Sequence, residues 1–125
     1  MKIGITKKLM AILVIGAFSQ FSLADAASAQ KTIVGIVAGM NHFPNDAQKA
    51  ELMAIASDES SGRGMQMIAT AVSNIQHAPD ADGKAAMNQI IGYDGAPAST
   101  KALAEIVLGF NHMASADAKE ALMHL

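Results

Sequence analysis

Residues 31–55 read KTIVGIVAGMNHFPNDAQKAELMAI, and the same pattern returns in residues 66–90 and again in residues 101–125. The first and third stretches are identical at nine of 25 aligned positions, and each matches the second at seven. Three columns are the same in all three stretches: Val37, Val72 and Val107; His42, His77 and His112; and Lys49, Lys84 and Lys119. A fixed period of 35 residues indicates a chain built from stacked supersecondary units.

Each repeat is predicted to be a helical hairpin. In the first half, apolar residues recur at the i, i+3, i+4 and i+7 spacing of a helix: Ile33, Ile36, Val37 and Met40; Ile68, Ala71, Val72 and Ile75; Leu103, Ile106, Val107 and Phe110. A shorter apolar stripe follows in each second half, after a turn rich in proline, asparagine, aspartate or serine. Such turns end one helix and supply side chains that cap the next.

The predicted fold is therefore all-α, with units 31–65, 66–100 and 101–125. Helices this short are unstable alone and must bury their apolar stripes against neighbours. Two packings satisfy this requirement, a short solenoid of stacked hairpins and a compact six-helix bundle in which the units wrap around one centre. The pattern favours the stack or a compact version of it.

The N-terminal residues have the features of a secretory signal peptide. Lysines precede a short apolar run at residues 9–18, and small residues follow. We predict a signal peptide over residues 1–29 and a repeat domain over residues 30–125, with cleavage after Ala24 or Ala26 as alternatives. The apolar run has about half of the roughly 20 residues that a membrane-spanning helix needs. The mature protein is thus expected to be periplasmic or secreted, without a stable membrane span.

Composition narrows the classes of function. The chain has no cysteine, which excludes disulfides, thiolate metal sites and cysteine nucleophiles. From Gln30 onward there are six Lys/Arg against ten Asp/Glu, and such a chain lacks the clustered positive charge that nucleic-acid binding needs. No constellation of paired carboxylates or of a nucleophile and its base stands out, so the protein is expected not to be an enzyme.

The recurring histidines invite a metal-binding hypothesis, because imidazole is a common metal ligand. In stacked hairpins, however, equivalent atoms lie about 8–10 Å apart, too far to share one ion. We therefore expect each histidine to end a helix by bonding its last carbonyls, and we predict no metal site and no cofactor. Only a tightly closed arrangement would bring the three rings together.

Other candidate binding residues lie along one edge and at the C-terminus. The recurrent lysines Lys49, Lys84 and Lys119 are expected to bond a turn carboxylate or a helix end, or to form with the histidines an edge that binds an acidic partner. Apolar residues Leu122, Met123 and Leu125 have no following hairpin to cover them. This end is the predicted interface, for a partner protein or for self-association.

Taken from sequence, the protein is expected to be an exported helical-repeat protein that binds another protein, as an adaptor, chaperone or inhibitor. One alternative is a periplasmic metal or haem carrier that uses histidine and methionine side chains, since the chain has nine methionines. Another is a secreted virulence or competition factor.

Overall fold

The structure is a computed structural model, and it describes residues 26–125. It contains six α-helices: α1 (Ala26–Gly39), α2 (Asp46–Ser57), α3 (Arg63–Ser73), α4 (Ala81–Ile91), α5 (Ala98–Leu108) and α6 (Ala116–Met123), with a short 3-10 helix at Glu59–Ser61. Within the described residues there is no β-strand, only isolated bridges at the turns. The predicted all-α class is confirmed.

The apolar stripes of the odd-numbered helices form the core. Ile33, Ile68 and Leu103 are completely buried, and so are Val37, Val72 and Val107. Ile106 is the exception among the predicted stripe residues, because it is only partly buried. The even-numbered helices contribute one fully or almost fully buried residue each from a shared column, namely Leu52, Met87 and Leu122. Helical spacing thus places one face of each helix in a common core.

Each even-numbered helix begins with a side-chain cap. Asn45 accepts a hydrogen bond from the Gln48 backbone N–H, Asp80 from that of Gly83, and Ser115 from that of Ala118. At Asn45 the Gln48 side chain also accepts from the Asn45 N–H, which completes a capping box. Caps of this kind stabilise a helix by about 1 kcal/mol each. The predicted capping role of the turn residues is confirmed.

The way the helices pack shows that the domain closes on itself. Helix α2 packs against α3, α4 against α5, and α6 against α1. The odd-numbered helices α1, α3 and α5 also contact one another. In an open stack the last helix would lie far from the first, so the contact between α6 and α1 identifies a compact six-helix bundle. Among the described helices, none is long and apolar enough to cross a bilayer.

The described part of the bundle begins before the predicted start of the mature domain. Helix α1 begins at Ala26, and Ala29 is buried. Residues 1–25 of the predicted signal peptide lie outside the described part of the chain. Cleavage after Ala29 would remove one buried alanine from α1, whereas cleavage after Ala24 or Ala26 would leave it in place.

Candidate metal centre

The three histidines occupy equivalent places in the fold. His42 lies between α1 and α2, His77 between α3 and α4, and His112 between α5 and α6. Their φ angles are 71°, 71° and 68°, and within the described residues no other non-glycine residue has a positive φ. This left-handed conformation costs an L-residue roughly 1–2 kcal/mol, although histidine tolerates it better than most. Strain of this kind tends to be kept where a residue has a function.

A closed ring of backbone hydrogen bonds holds the three turns together. The N–H of His42 donates to the carbonyl of His112 (2.5 Å), that of His77 to His42 (2.7 Å) and that of His112 to His77 (2.5 Å). Each histidine therefore donates one bond and accepts one. This backbone ring holds three distant segments of the chain around a single centre, with a left-handed φ at each histidine.

The side chains of these histidines, which we call the histidine triad, also meet. Ring centroids are 4.9 Å apart for His42 and His77, 5.1 Å for His42 and His112, and 4.9 Å for His77 and His112. One nitrogen from each ring lies within 4.8 Å of the others. The separation expected for stacked hairpins does not hold, because the domain closes into a bundle. The objection that the three histidines lie too far apart to share one metal ion therefore no longer applies.

The donor set fits a transition metal. Ligand nitrogens bound to one zinc at about 2.0–2.1 Å lie roughly 3.3 Å from one another in a tetrahedral site. Rotation of the side chains can supply the remaining approach, because His42 is half-buried and the other two rings are exposed. Three imidazoles with no carboxylate in the group suit zinc, copper or nickel rather than calcium or magnesium.

One residue beside the triad can orient a ligand ring. Asn111 Oδ1 lies 2.7 Å from His112 Nδ1. When Nδ1–H donates to this oxygen, Nε2 carries no proton and is free to bind a metal, which is the usual role of a second partner on a metal-binding histidine. Asn41 and Gln76 hold the same place before their own histidines. In the part of the chain that the structure describes, only Asn111 makes this bond.

Apolar residues lie on either side of the triad in sequence. Two residues before each histidine, Met40, Ile75 and Phe110 are buried in the core. Directly after His42 and His112, Phe43 and Met113 are about half exposed, at 55% and 48%. The third position of this column is the smaller Ala78. Each histidine of the triad thus comes two residues after a side chain that is buried in the core, and two of the three are followed in sequence by an exposed apolar side chain.

The predicted lysines do not make the contacts expected of them. Lys49, Lys84 and Lys119 are all exposed, in the first turns of α2, α4 and α6. Over residues 26–125, no hydrogen bond or ion pair of their side chains is present. Neither a turn carboxylate nor a helix end therefore explains the recurrence. Their part in a binding edge stays a prediction.

The predicted C-terminal interface is partly covered. Leu122 is buried because α6 packs against α1. Met123 and Leu125 are exposed, Met123 at 81% and Leu125 at 36%. In the closed bundle, α1 therefore covers Leu122, for which the sequence pattern offered no following hairpin.

A separate apolar cavity of about 750 Å³ opens at the other end of the odd-numbered helices. Its walls include Ala26 at the start of α1, Arg63 at the start of α3, and Tyr93 and Pro97 from the segment before α5. The histidines follow the C-terminal ends of α1, α3 and α5 and are not among its lining residues. The cavity is therefore distinct from the histidine triad.

Comparisons of the chain with protein-family models, with curated proteins and with solved structures found no match. The site is consequently interpreted from its own geometry. Sequence analysis singled out all three histidines but not their convergence. The available signal was their position just after the helix, where a left-handed residue such as glycine or asparagine is usual.

Proposed function

We propose that the protein binds one divalent transition-metal ion, zinc, copper or nickel, through His42, His77 and His112. The observation that carries this proposal is the convergence of three imidazole rings at 4.9–5.1 Å. Three histidine nitrogens on one ion, with a further position left for water, is an established protein site for zinc. The turns between the paired helices supply all three of the proposed ligands.

Two further features support this proposal over a purely structural role for the histidines. A histidine kept only to end a helix would point its ring at the last carbonyls, whereas these rings pack on one another, two pairs edge-to-face and one pair tilted, with centroids 4.9–5.1 Å apart. Each also adopts a left-handed backbone that glycine or asparagine would tolerate at lower cost. Three histidines at three strained positions, with one nitrogen of each ring within 4.8 Å of the others, are most simply explained by a shared ligand.

The finer architecture belongs to the same proposal. We propose three repeat units, 31–65, 66–100 and 101–125, arranged around an axis through the histidine triad, each contributing one ligand. Supporting this are the matching φ angles, the cyclic backbone bonds and the packing of each even-numbered helix on the next odd-numbered one. Export to a periplasm or to the outside rests on the N-terminal pattern, which lies outside the described residues.

Metal titration tests the proposed function. We expect the purified protein to bind one equivalent of Zn²⁺ per chain by calorimetry. The control is the triple variant His42→Asn, His77→Asn and His112→Asn, which keeps residues that tolerate a positive φ. Equal binding by the triple variant, or no binding by the natural protein with Zn²⁺, Cu²⁺ or Ni²⁺, would contradict the proposal.

A second candidate function is recognition of a protein partner, as an adaptor, chaperone or inhibitor, including one that acts on a host or competitor. The specific observation is the exposure of Met123 and Leu125 at the C-terminus. Because Leu122 is covered by α1, the remaining apolar surface is smaller than the sequence pattern indicated. It is therefore the weaker candidate.

Self-association is the form of this candidate that can be measured directly. If Met123 and Leu125 form an interface between copies, sedimentation should show a concentration-dependent oligomer, and the double variant Met123→Ser with Leu125→Ser should be monomeric. The double variant should be monomeric because it loses apolar contact area at this interface. A natural protein that stays monomeric at high concentration would exclude this form of association.

A further inference from the structure

The arrangement of the triad determines which side of a bound ion stays open. All three ligands come from turns joined by the backbone ring, and the buried side chains of Met40, Ile75 and Phe110 lie just before them in the chain. His77 and His112 are exposed. An ion held by these rings is therefore bound from the protein side, with its remaining coordination position towards solvent.

The charge of the ligands determines how strongly the ion would acidify a water bound at its open coordination position. The three ligands are neutral imidazoles, and the group contains no aspartate or glutamate within the part of the chain that is described. A bound divalent ion therefore keeps its full double charge. Such an ion strongly acidifies a coordinated water, so that it supplies hydroxide near neutral pH.

Resting on the proposed function, we propose that a zinc ion on the histidine triad carries a solvent-facing water that hydrolyses small, uncharged carbonyl esters. A zinc ion held by the three imidazoles would supply hydroxide from a water in its open position, with the proton released to solvent. The hydroxide oxygen would form a bond to the ester carbonyl carbon, and the bond from that carbon to the alkoxide or phenoxide leaving group would break. The products are a carboxylate and an alcohol or phenol, and a new water takes the open position. No oxidant or reductant is consumed.

The surroundings of the triad favour this substrate class. Phe43 and Met113 directly follow two of the ligands in the sequence and have exposed side chains, which would supply apolar surface for the acyl or aryl part of a small ester. The residue that directly follows His77 is Ala78, whose smaller side chain would obstruct the approach of a substrate to the triad less. No lysine or arginine directly precedes or follows any of the three histidines in the sequence. The adjacent side chains therefore provide no positive charge that would select a charged substrate.

The experiment compares zinc-loaded protein with the triple variant His42→Asn, His77→Asn and His112→Asn at the same total zinc, using 4-nitrophenyl acetate as the substrate. We expect the natural protein to release nitrophenolate at least about tenfold faster than the variant, because only bound zinc supplies hydroxide near neutral pH. Removing zinc with a chelator should abolish the difference, and adding zinc back should restore it.

A spectroscopic measurement tests the open position without relying on turnover. Protein loaded with Co²⁺ in place of zinc is expected to change its visible absorption when azide is added, since azide would displace the coordinated water. Zinc bound by the triad without ester hydrolysis, or cobalt bound without a response to azide, overturns this inference and leaves the proposed metal binding intact. Failure of the triad to bind either ion overturns both.

Discussion

Replacing His77 by asparagine is expected to weaken Zn²⁺ binding at least about 100-fold, because even second-sphere changes at metal sites cost 10–100-fold. The variant removes one of three ligands and leaves two imidazoles, one fewer than the three protein ligands of an open zinc site. Asparagine accepts the φ of 71° found at this position. The backbone ring through His77 should therefore persist. Calorimetry with Zn²⁺ measures the effect.

The chain supplies a matched control in His124, the remaining histidine. It lies at the end of α6 with an ordinary φ of −100° and does not belong to the triad. His124→Asn should bind zinc as the natural protein does. Thermal unfolding without metal should show both variants close to the natural protein. If His124→Asn loses zinc as severely as His77→Asn does, the ligand assignment is wrong.

Truncating Phe110 to alanine is expected to destabilise the fold by about 3–5 kcal/mol, the usual cost of removing a buried phenylalanine side chain. Phe110 is only 4% exposed and lies two residues before His112, so the cavity would open beneath one third of the backbone ring. Small domains have about 5–15 kcal/mol of total stability. The loss should therefore lower the denaturant midpoint severely.

Phe43→Ala provides the comparison for this second prediction. Phe43 is 55% exposed, so the same chemical change at that position should cost only about 0.5 kcal/mol or less. Urea unfolding followed by circular dichroism measures both variants. Similar losses at the two positions would mean that Phe110 is not packed as the structure places it.

The helices were predictable because their determinants are local. The spacing of Ile33 and Val37 marks an amphipathic helix, and Asn45, Asp80 and Ser115 are cap residues whose partners lie three residues away. Nothing beyond a short window of sequence is needed to interpret them. The predicted helical class was therefore confirmed.

Closure of the bundle was harder to infer, because it depends on contacts between the two ends of the described chain. An open stack and a closed bundle of these helices bury the same apolar stripes, and the packing of α6 on α1 separates them. The distance between histidine rings changes from that of neighbouring helices to about 5 Å when the bundle closes. The site therefore could not be assigned until the long-range packing was known, although its three ligands were visible as a column in the sequence.

The cyclic bonding among the three turns has a consequence for when metal is acquired. An unfolded chain carries the three triad histidines 35 residues apart and offers no preformed chelate, so the complete set of proposed ligands exists only after the last helix has docked on the first. Under the proposed export, a polypeptide that crosses a membrane unfolded would arrive without a bound ion. The ions available at its destination would then decide which metal the proposed site binds.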